Sequence, residues 1–352
     1  MRARFECQRR LHLQISPSPS PRHTLTITAK MPCPSKCPSD ALVRLFLLFD
    51  SAVHCALGAF LFFSPGTCAE FILKRPSSDG VHWHLLRCVG GQLLASAVLS
   101  WRCASPQRPP EVRSSCLALR LLGSILFAFL FLHIRAVHPE LMSTLLSRQI
   151  IWFCFAMIAL CVVLIIASGW PIGSDGSGDN FHAANRWGNL LYQVDTIAAI
   201  SIGMAWVMAP HWLLHRQVRV PMDESHAFCG NLMGVVFIAS HVISAHAVHW
   251  PTQSDRAMAA ETRALLCLFI LSAQFWSQIA YGQHWSDKHW VGISLFSTWT
   301  VVSIFYRIYL WASGLDQQRA TEKAVSCGRG ESAAGAAAAM ANGLKQQQKK
   351  VA

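Results

Sequence analysis

The chain has 352 residues, 53% of them hydrophobic and only 14% charged. Soluble domains carry roughly a quarter charged residues; here the charges gather at the two ends and between long apolar runs, which argues against a soluble domain and for a membrane protein. The net charge of +12 does not indicate nucleic acid as a partner, because nearly half of the Lys and Arg residues lie in the terminal tails and no basic face with interleaved aromatics lies between them. A basic tail beside a membrane sets topology or touches anionic headgroups instead, so membrane lipid is the expected partner.

Residues 1–40 are polar and rich in Ser, Pro and Arg, and are expected to be disordered, or spurious if Met31 is the true start. They lack the hydrophobic stretch of a secretory signal. Eight apolar runs follow: Leu45–Phe63, Leu85–Leu99, Cys116–Ile134, Gln149–Ile166, Leu190–Ala209, Phe228–Val248, Ala264–Ala280 and Val291–Leu310. Each is near the ~20 residues that span a bilayer, and each must be a helix, because lipid offers no partner to backbone N–H and C=O groups. The second and seventh runs are short and must extend into their flanks. Pro65 and Pro210 are expected to stop helices where they leave the bilayer. A Gly/Ser/Asp linker divides the runs into two sets of four, at residues 41–170 and 186–314, with 171–185 between them. Residues 315–352 read as a disordered tail.

The two sets repeat each other. Asp50, Gly58 and Pro65 recur as Asp195, Gly203 and Pro210, at an offset of 145. Asp79, His82, Gly90, Ala95, Ser96, Val98 and Ser100 recur at 144 as Asp223, His226, Gly234, Ala239, Ser240, Val242 and Ser244. Glu111 and Arg113 are matched with Glu261 and Arg263, and Ala167-Ser168-Gly169 with Ala312-Ser313-Gly314. The expected fold is therefore all-α: an integral membrane bundle of eight transmembrane helices in two tandem, parallel four-helix repeats. The recurring glycines allow close helix contact. Counting the juxtamembrane Lys36, Arg44, Arg319 and Lys323 places both termini in the cytosol.

The segment from Asp50 to Trp101 reads DSAVHCALGAFLFFSP and then HLLRCVGGQLLASAVLSW. It resembles the multi-pass membrane proteins known as tumour-protein-inducible protein eleven and its relatives. Arg87, Gly90, Gly91, Leu93, Leu94 and Trp101 carry the resemblance, over one half-length unit. The second half departs from it, with Asn231 where Arg87 would stand and Val235 where Gly91 would. The resemblance implies a membrane protein and brings no enzymatic activity with it.

Asp50 and Asp195 are the leading candidates for function, being ionisable residues inside apolar runs. Depth in the bilayer suggests the pairs Asp50–Arg120 and Asp195–Arg307, with His54 one turn after Asp50 on the same face. Such pairs either fix helix packing or line a proton or cation pathway. His82, His84 and His226 fall on one, luminal, side and could hold zinc or copper, since imidazole suits both. No HExxH, phosphate loop or nucleophile elbow is present, so no catalytic residue is assigned and no cofactor is expected. The chain ends Lys349-Lys350-Val351-Ala352, the form of a dilysine retrieval signal read by a coat protein, which favours the endoplasmic reticulum. Three readings follow: a non-enzymatic scaffold or regulator binding lipid between its halves, a small-solute or proton-coupled transporter using Asp50 and Asp195, and a membrane-embedded His-metal enzyme.

Overall fold

Every apolar run lies in a helix of the computed structural model, apart from the last residues of two runs, Ala209 and Val248, which cap theirs; the structure describes residues 38–74, 78–168, 185–250 and 252–312. In chain order the α-helices are α1 Pro38–Phe63, α2 Pro65–Ile72, α3 Gly80–Cys103, α4 Pro110–Val137, α5 Thr144–Ala167, α6 Arg186–Met208, α7 Pro210–His215, α8 Glu224–Ala247, α9 Gln253–Ala280 and α10 His289–Ala312. Seven of them are long and apolar enough to cross a membrane: α1, α4, α5, α6, α8, α9 and α10. The chain is a helical membrane protein, with large apolar side chains such as Phe63, Trp152, Ile279 and Trp311 facing outward and Asp50, Gln92 and Arg256 inside.

Helix boundaries follow local chemistry. The short second and seventh runs do extend into their flanks: α3 has 24 residues and α9 has 28. Pro65 and Pro210 do more than end a helix. Each is the first residue of a short helix, α2 or α7, a position where the missing N–H costs nothing and the fixed φ suits the helix. Asp79 and Asp223 cap α3 and α8, with His82 and His226 closing the capping boxes. Helix α1 begins at Pro38, inside the segment expected to be without structure. Cys68 and Cys88 are free thiols. The GSDGSGDN linker, the C-terminal tail and Lys349 and Lys350 lie outside the described residues.

Helices α3 and α8 form the centre and touch each other. Helix α3 packs on α1 and α9, and α8 on α6 and α4; α5 lies on α4, and α10 on α9. Thus the α4–α5 hairpin leans more on α8 than on the helix that precedes it, and α9–α10 leans on α3 in the same way. Glycines set the two closest approaches. A Cβ on Gly58 would lie 2.9 Å from the Gly90 carbonyl oxygen, and one on Gly203 would lie 2.7 Å from that of Gly234. Any side chain there would drive α1 from α3, or α6 from α8.

Candidate functional site

Asp50 sits on α1 facing α3 and α4, and is 2% exposed. Its Oδ2 lies 2.7 Å from Arg120 Nε and accepts a 2.7 Å hydrogen bond from Ser100 Oγ. Arg120 also donates to Ser100 Oγ at 2.7 Å, to Ser96 Oγ at 2.8 Å and to His54 Nε2 at 3.1 Å. Accepting at Nε2 leaves the His54 proton on Nδ1, which faces the Asp50 backbone oxygen at 2.9 Å. The structure thus brings Asp50, Arg120 and His54 together.

Asp195 is held by a different arginine from the one expected. Arg263 Nε lies 2.8 Å from its Oδ1 and 2.9 Å from its Oδ2, Ser244 Oγ donates to Oδ2, and Trp299 Nε1 donates to Oδ1 at 2.8 Å. Arg263 reaches Ser240 Oγ at 3.3 Å. Arg307 instead pairs with Glu261, Nε to Oε1 2.5 Å, and Arg102 meets the same carboxylate. Depth gave the wrong partner because it says nothing of which face a helix presents. The match of Glu111 and Arg113 with Glu261 and Arg263 hid the right one. Glu111 stands in the first turn of α4, whereas Glu261 is well inside α9. Counted from the starts of these two 28-residue helices, Arg120 and Arg263 occupy the same position.

A cavity of about 480 Å³ opens beside the first centre. Its walls are mostly apolar, including Leu57, Phe60, Phe127, Phe131, Leu232 and Leu266; Asp50, His54, Ser96 and Arg120 line it from the first centre, and Ser240, Ser244 and Arg263 from the second. Gln92, one turn from Ser96 on α3, also lines it; the side chain is fully buried and neither its Oε1 nor its Nε2 has a partner among the described residues. A smaller cavity of about 220 Å³ lies between α3, α6, α8, α9 and α10, walled in part by Trp206, Trp285 and Phe296.

The N-termini of α3 and α8 bring together a third group. His82 and His226 have ring centroids 3.8 Å apart. His82 Nδ1 lies 3.0 Å from Asp79 Oδ1, and His226 Nε2 lies 3.1 Å from Asp79 Oδ2. Burial raises the Asp79 carboxyl, but hydrogen bonds and charge from His226 and His82 outweigh it and hold it well below the usual carboxylate range. At Asp223 burial is likewise overcome, here by Ser225 and His226, and the carboxyl falls to about 2. His84 is not part of this group: it packs on Trp285 and His289, with Nδ1 3.4 Å from the Ala273 carbonyl oxygen. Successive His positions on a helix point about 200° apart, so His82 and His84 cannot share a face.

Sequence reasoning did not single out Arg263, Trp299 or Gln92 as site residues. Ser96, Ser100, Ser240 and Ser244 entered only as repeated letters, yet they accept from or donate to the buried ions. A polar residue at every fourth position of α3 (Gln92, Ser96, Ser100) was the available signal.

The family model for a domain of unknown function, DUF8292, matches residues 48–308, a stretch that contains both aspartate centres and the histidine group. No curated protein and no solved structure matches the chain.

Proposed function

The chain belongs to the DUF8292 family of domains of unknown function, and we propose that it is a non-enzymatic membrane scaffold or regulator that binds one lipid-like amphiphile in the cavity beside Asp50. The observation that carries this reading is the cavity itself: mostly apolar walls, charged and hydroxyl groups among them, and a buried Gln92 amide without a partner among the described residues. Ligand sites are of this size, mostly apolar, with a few placed polar groups. An unpaired buried amide costs roughly 1–3 kcal/mol, and a hydroxyl, amide or carboxylic acid headgroup would satisfy it.

The architecture proposed with it is eight spans in two parallel four-helix units. Its support is the order of elements, a long helix, a short Pro-started helix, an Asp-capped helix and a hairpin, which runs through α1–α5 and again through α6–α10. Helix α3 is the eighth span. It carries His82, His84, Arg87 and Gln92, yet it is enclosed by other helices, so those side chains meet protein, not lipid. The likeness of Asp50–Trp101 to the tumour-protein-inducible protein eleven proteins agrees with membrane residence. Cytosolic termini, recognition of Lys349 and Lys350 by a coat protein and residence in the endoplasmic reticulum belong to the same proposal and rest on sequence. Transport through Asp50 and Asp195 is less well supported, because both carboxylates are pinned by an arginine and a serine.

The test is a cavity-filling substitution. Cys154 lines the cavity, and Cys154→Trp should occlude it. Wild-type protein purified in mild detergent should carry about one amphiphile per chain by native mass spectrometry, and Cys154→Trp should lose most of it. A wild type that carries none, or a variant with an unchanged load, overturns the proposal.

A further inference from the structure

The histidine group at the start of α3 and α8 is short of positive charge. Four ring nitrogens lie close to oxygen atoms, and two of them, His82 Nδ1 and His226 Nδ1, also accept the backbone N–H of Asp79 and Asp223 at 3.3 and 3.2 Å. His82 Nδ1 faces Asp79 Oδ1 at 3.0 Å, and His82 Nε2 faces Ser225 Oγ at 2.7 Å. The Ser225 hydrogen is already directed to Asp223 Oδ1 at 2.5 Å. His226 Nδ1 faces Asp223 Oδ1 at 2.9 Å, and His226 Nε2 faces Asp79 Oδ2 at 3.1 Å. Two neutral imidazoles supply two N–H protons for these four contacts. The other two set lone pair against lone pair. Adding two protons would fill them, at the cost of two imidazolium rings stacked with centroids 3.8 Å apart.

One divalent ion supplies the same two charges at a single point. We propose that Asp79, His82 and His226 bind a divalent transition metal of the zinc type, through an Asp79 carboxylate oxygen, His82 Nδ1 and His226 Nε2. These three residues place their ligand atoms within 4.8 Å of one another. With the metal there, His82 keeps its proton on Nε2 for Ser225, His226 keeps its proton on Nδ1 for Asp223, and the Asp79 and Asp223 N–H groups give up their 3.3 and 3.2 Å bonds to the two rings. Every acceptor–acceptor contact is then removed. The Asp223–His226 contact becomes the outer carboxylate–imidazole bond that orients metal-bound histidines. Two imidazoles and a carboxylate suit zinc. Ligands about 2.0–2.1 Å from tetrahedral zinc lie about 3.3 Å from each other. The observed 3.0 and 3.1 Å nitrogen–oxygen contacts run to the two different oxygens of Asp79, so the carboxylate must turn to offer one oxygen to the metal, together with a change in the 36° tilt between the rings. The Asp79 side chain is 28% exposed, so solvent reaches the fourth position.

This site is separate from the cavity and stands or falls independently of the amphiphile. The experiment uses the full chain in detergent, stripped by a chelator and titrated with Zn²⁺, with bound metal counted after gel filtration. His82→Gln and His226→Gln retain a residue that closes a capping box at this position, and His84→Gln is the control outside the site. One ion per wild-type chain is expected, with affinity lowered at least tenfold in His82→Gln and His226→Gln and unchanged in His84→Gln. Co²⁺ added to the wild type alone should give the visible absorption of a four-coordinate nitrogen/oxygen site. An unmetallated wild type, equal affinity in all variants, or a Co²⁺ spectrum of the six-coordinate aqueous kind overturns the assignment.

Discussion

Asp50 and Asp195 are held by the same kinds of partner and differ in what lies next to them. Each meets an arginine at the same position of a 28-residue helix and a serine from the central helix beside it. At Asp195 the remaining side is closed by Trp299, whose indole N–H donates to Oδ1. At Asp50 that place goes to His54, and the space behind it is the larger cavity. Counted along the 24-residue helices α5 and α10, the residue at the position of Trp299 is Cys154, which lines that cavity. The ion pair is common to both centres, so it reads as the part that holds helices together. The missing tryptophan is peculiar to one, so the cavity reads as the part that was adapted.

The comparison breaks most severely at the arginines. Removing one partner of a buried pair leaves an uncompensated charge and costs roughly 3–5 kcal/mol. Arg263→Ala should approach the upper end, because the cavity is lined by Arg263 and Ser244 but not by Asp195 itself, whereas Asp50 does line it. Arg120→Ala should cost less, since water entering the cavity can reach Asp50. Thermal unfolding in detergent gives the order, and equal losses would mean that the cavity does not soften the first centre.

Opening the closed side is the next largest effect. Trp299→Cys removes a large side chain and the hydrogen bond to Asp195, and large-to-small changes of this kind cost about 3–5 kcal/mol before relaxation. The loss here should be somewhat below that of Arg263→Ala, and the variant should gain an apolar cavity detectable by xenon or by a fluorescent fatty-acid analogue. A variant as stable as the parent would show that Trp299 is not what closes this side.

Much of this arrangement was legible in the sequence, and for definable reasons. Apolar runs fix the helices because lipid leaves the backbone no alternative. Asp50, Arg120 and His54 were found because charge in an apolar run is conspicuous. Arg263 was as conspicuous and was still assigned wrongly, because a false match with Arg113 replaced the helix start as the reference point. Gln92 and Trp299 carry no such mark: a glutamine or tryptophan in a helix is ordinary until its neighbours are known. The Asp79–His226 contact joins residues 147 apart, and only the meeting of two helix ends discloses it. Cys154 is likewise unmarked in the sequence, and its meaning lies in the volume it leaves open.

The finest distinction between the two centres is at Gln92. Counted from the starts of the 24-residue helices α3 and α8, its counterpart is Val236, so the buried amide belongs to one centre alone. Its Oε1 and Nε2 have no partner among the described residues, an arrangement that lowers stability by roughly 1–3 kcal/mol. Gln92→Val should therefore raise the stability of ligand-free protein, by about 1 kcal/mol once the lost packing is subtracted. The same change should weaken the bound amphiphile, because a headgroup placed against the amide would lose its hydrogen bonds. Delipidated and lipid-loaded protein should then respond in opposite senses in thermal unfolding: the substitution helps the first and harms the second. A substitution that stabilises both equally would make Gln92 a packing defect, and would leave the charged and hydroxyl groups of the cavity wall, such as His54, Arg120 and Arg263, to orient a ligand.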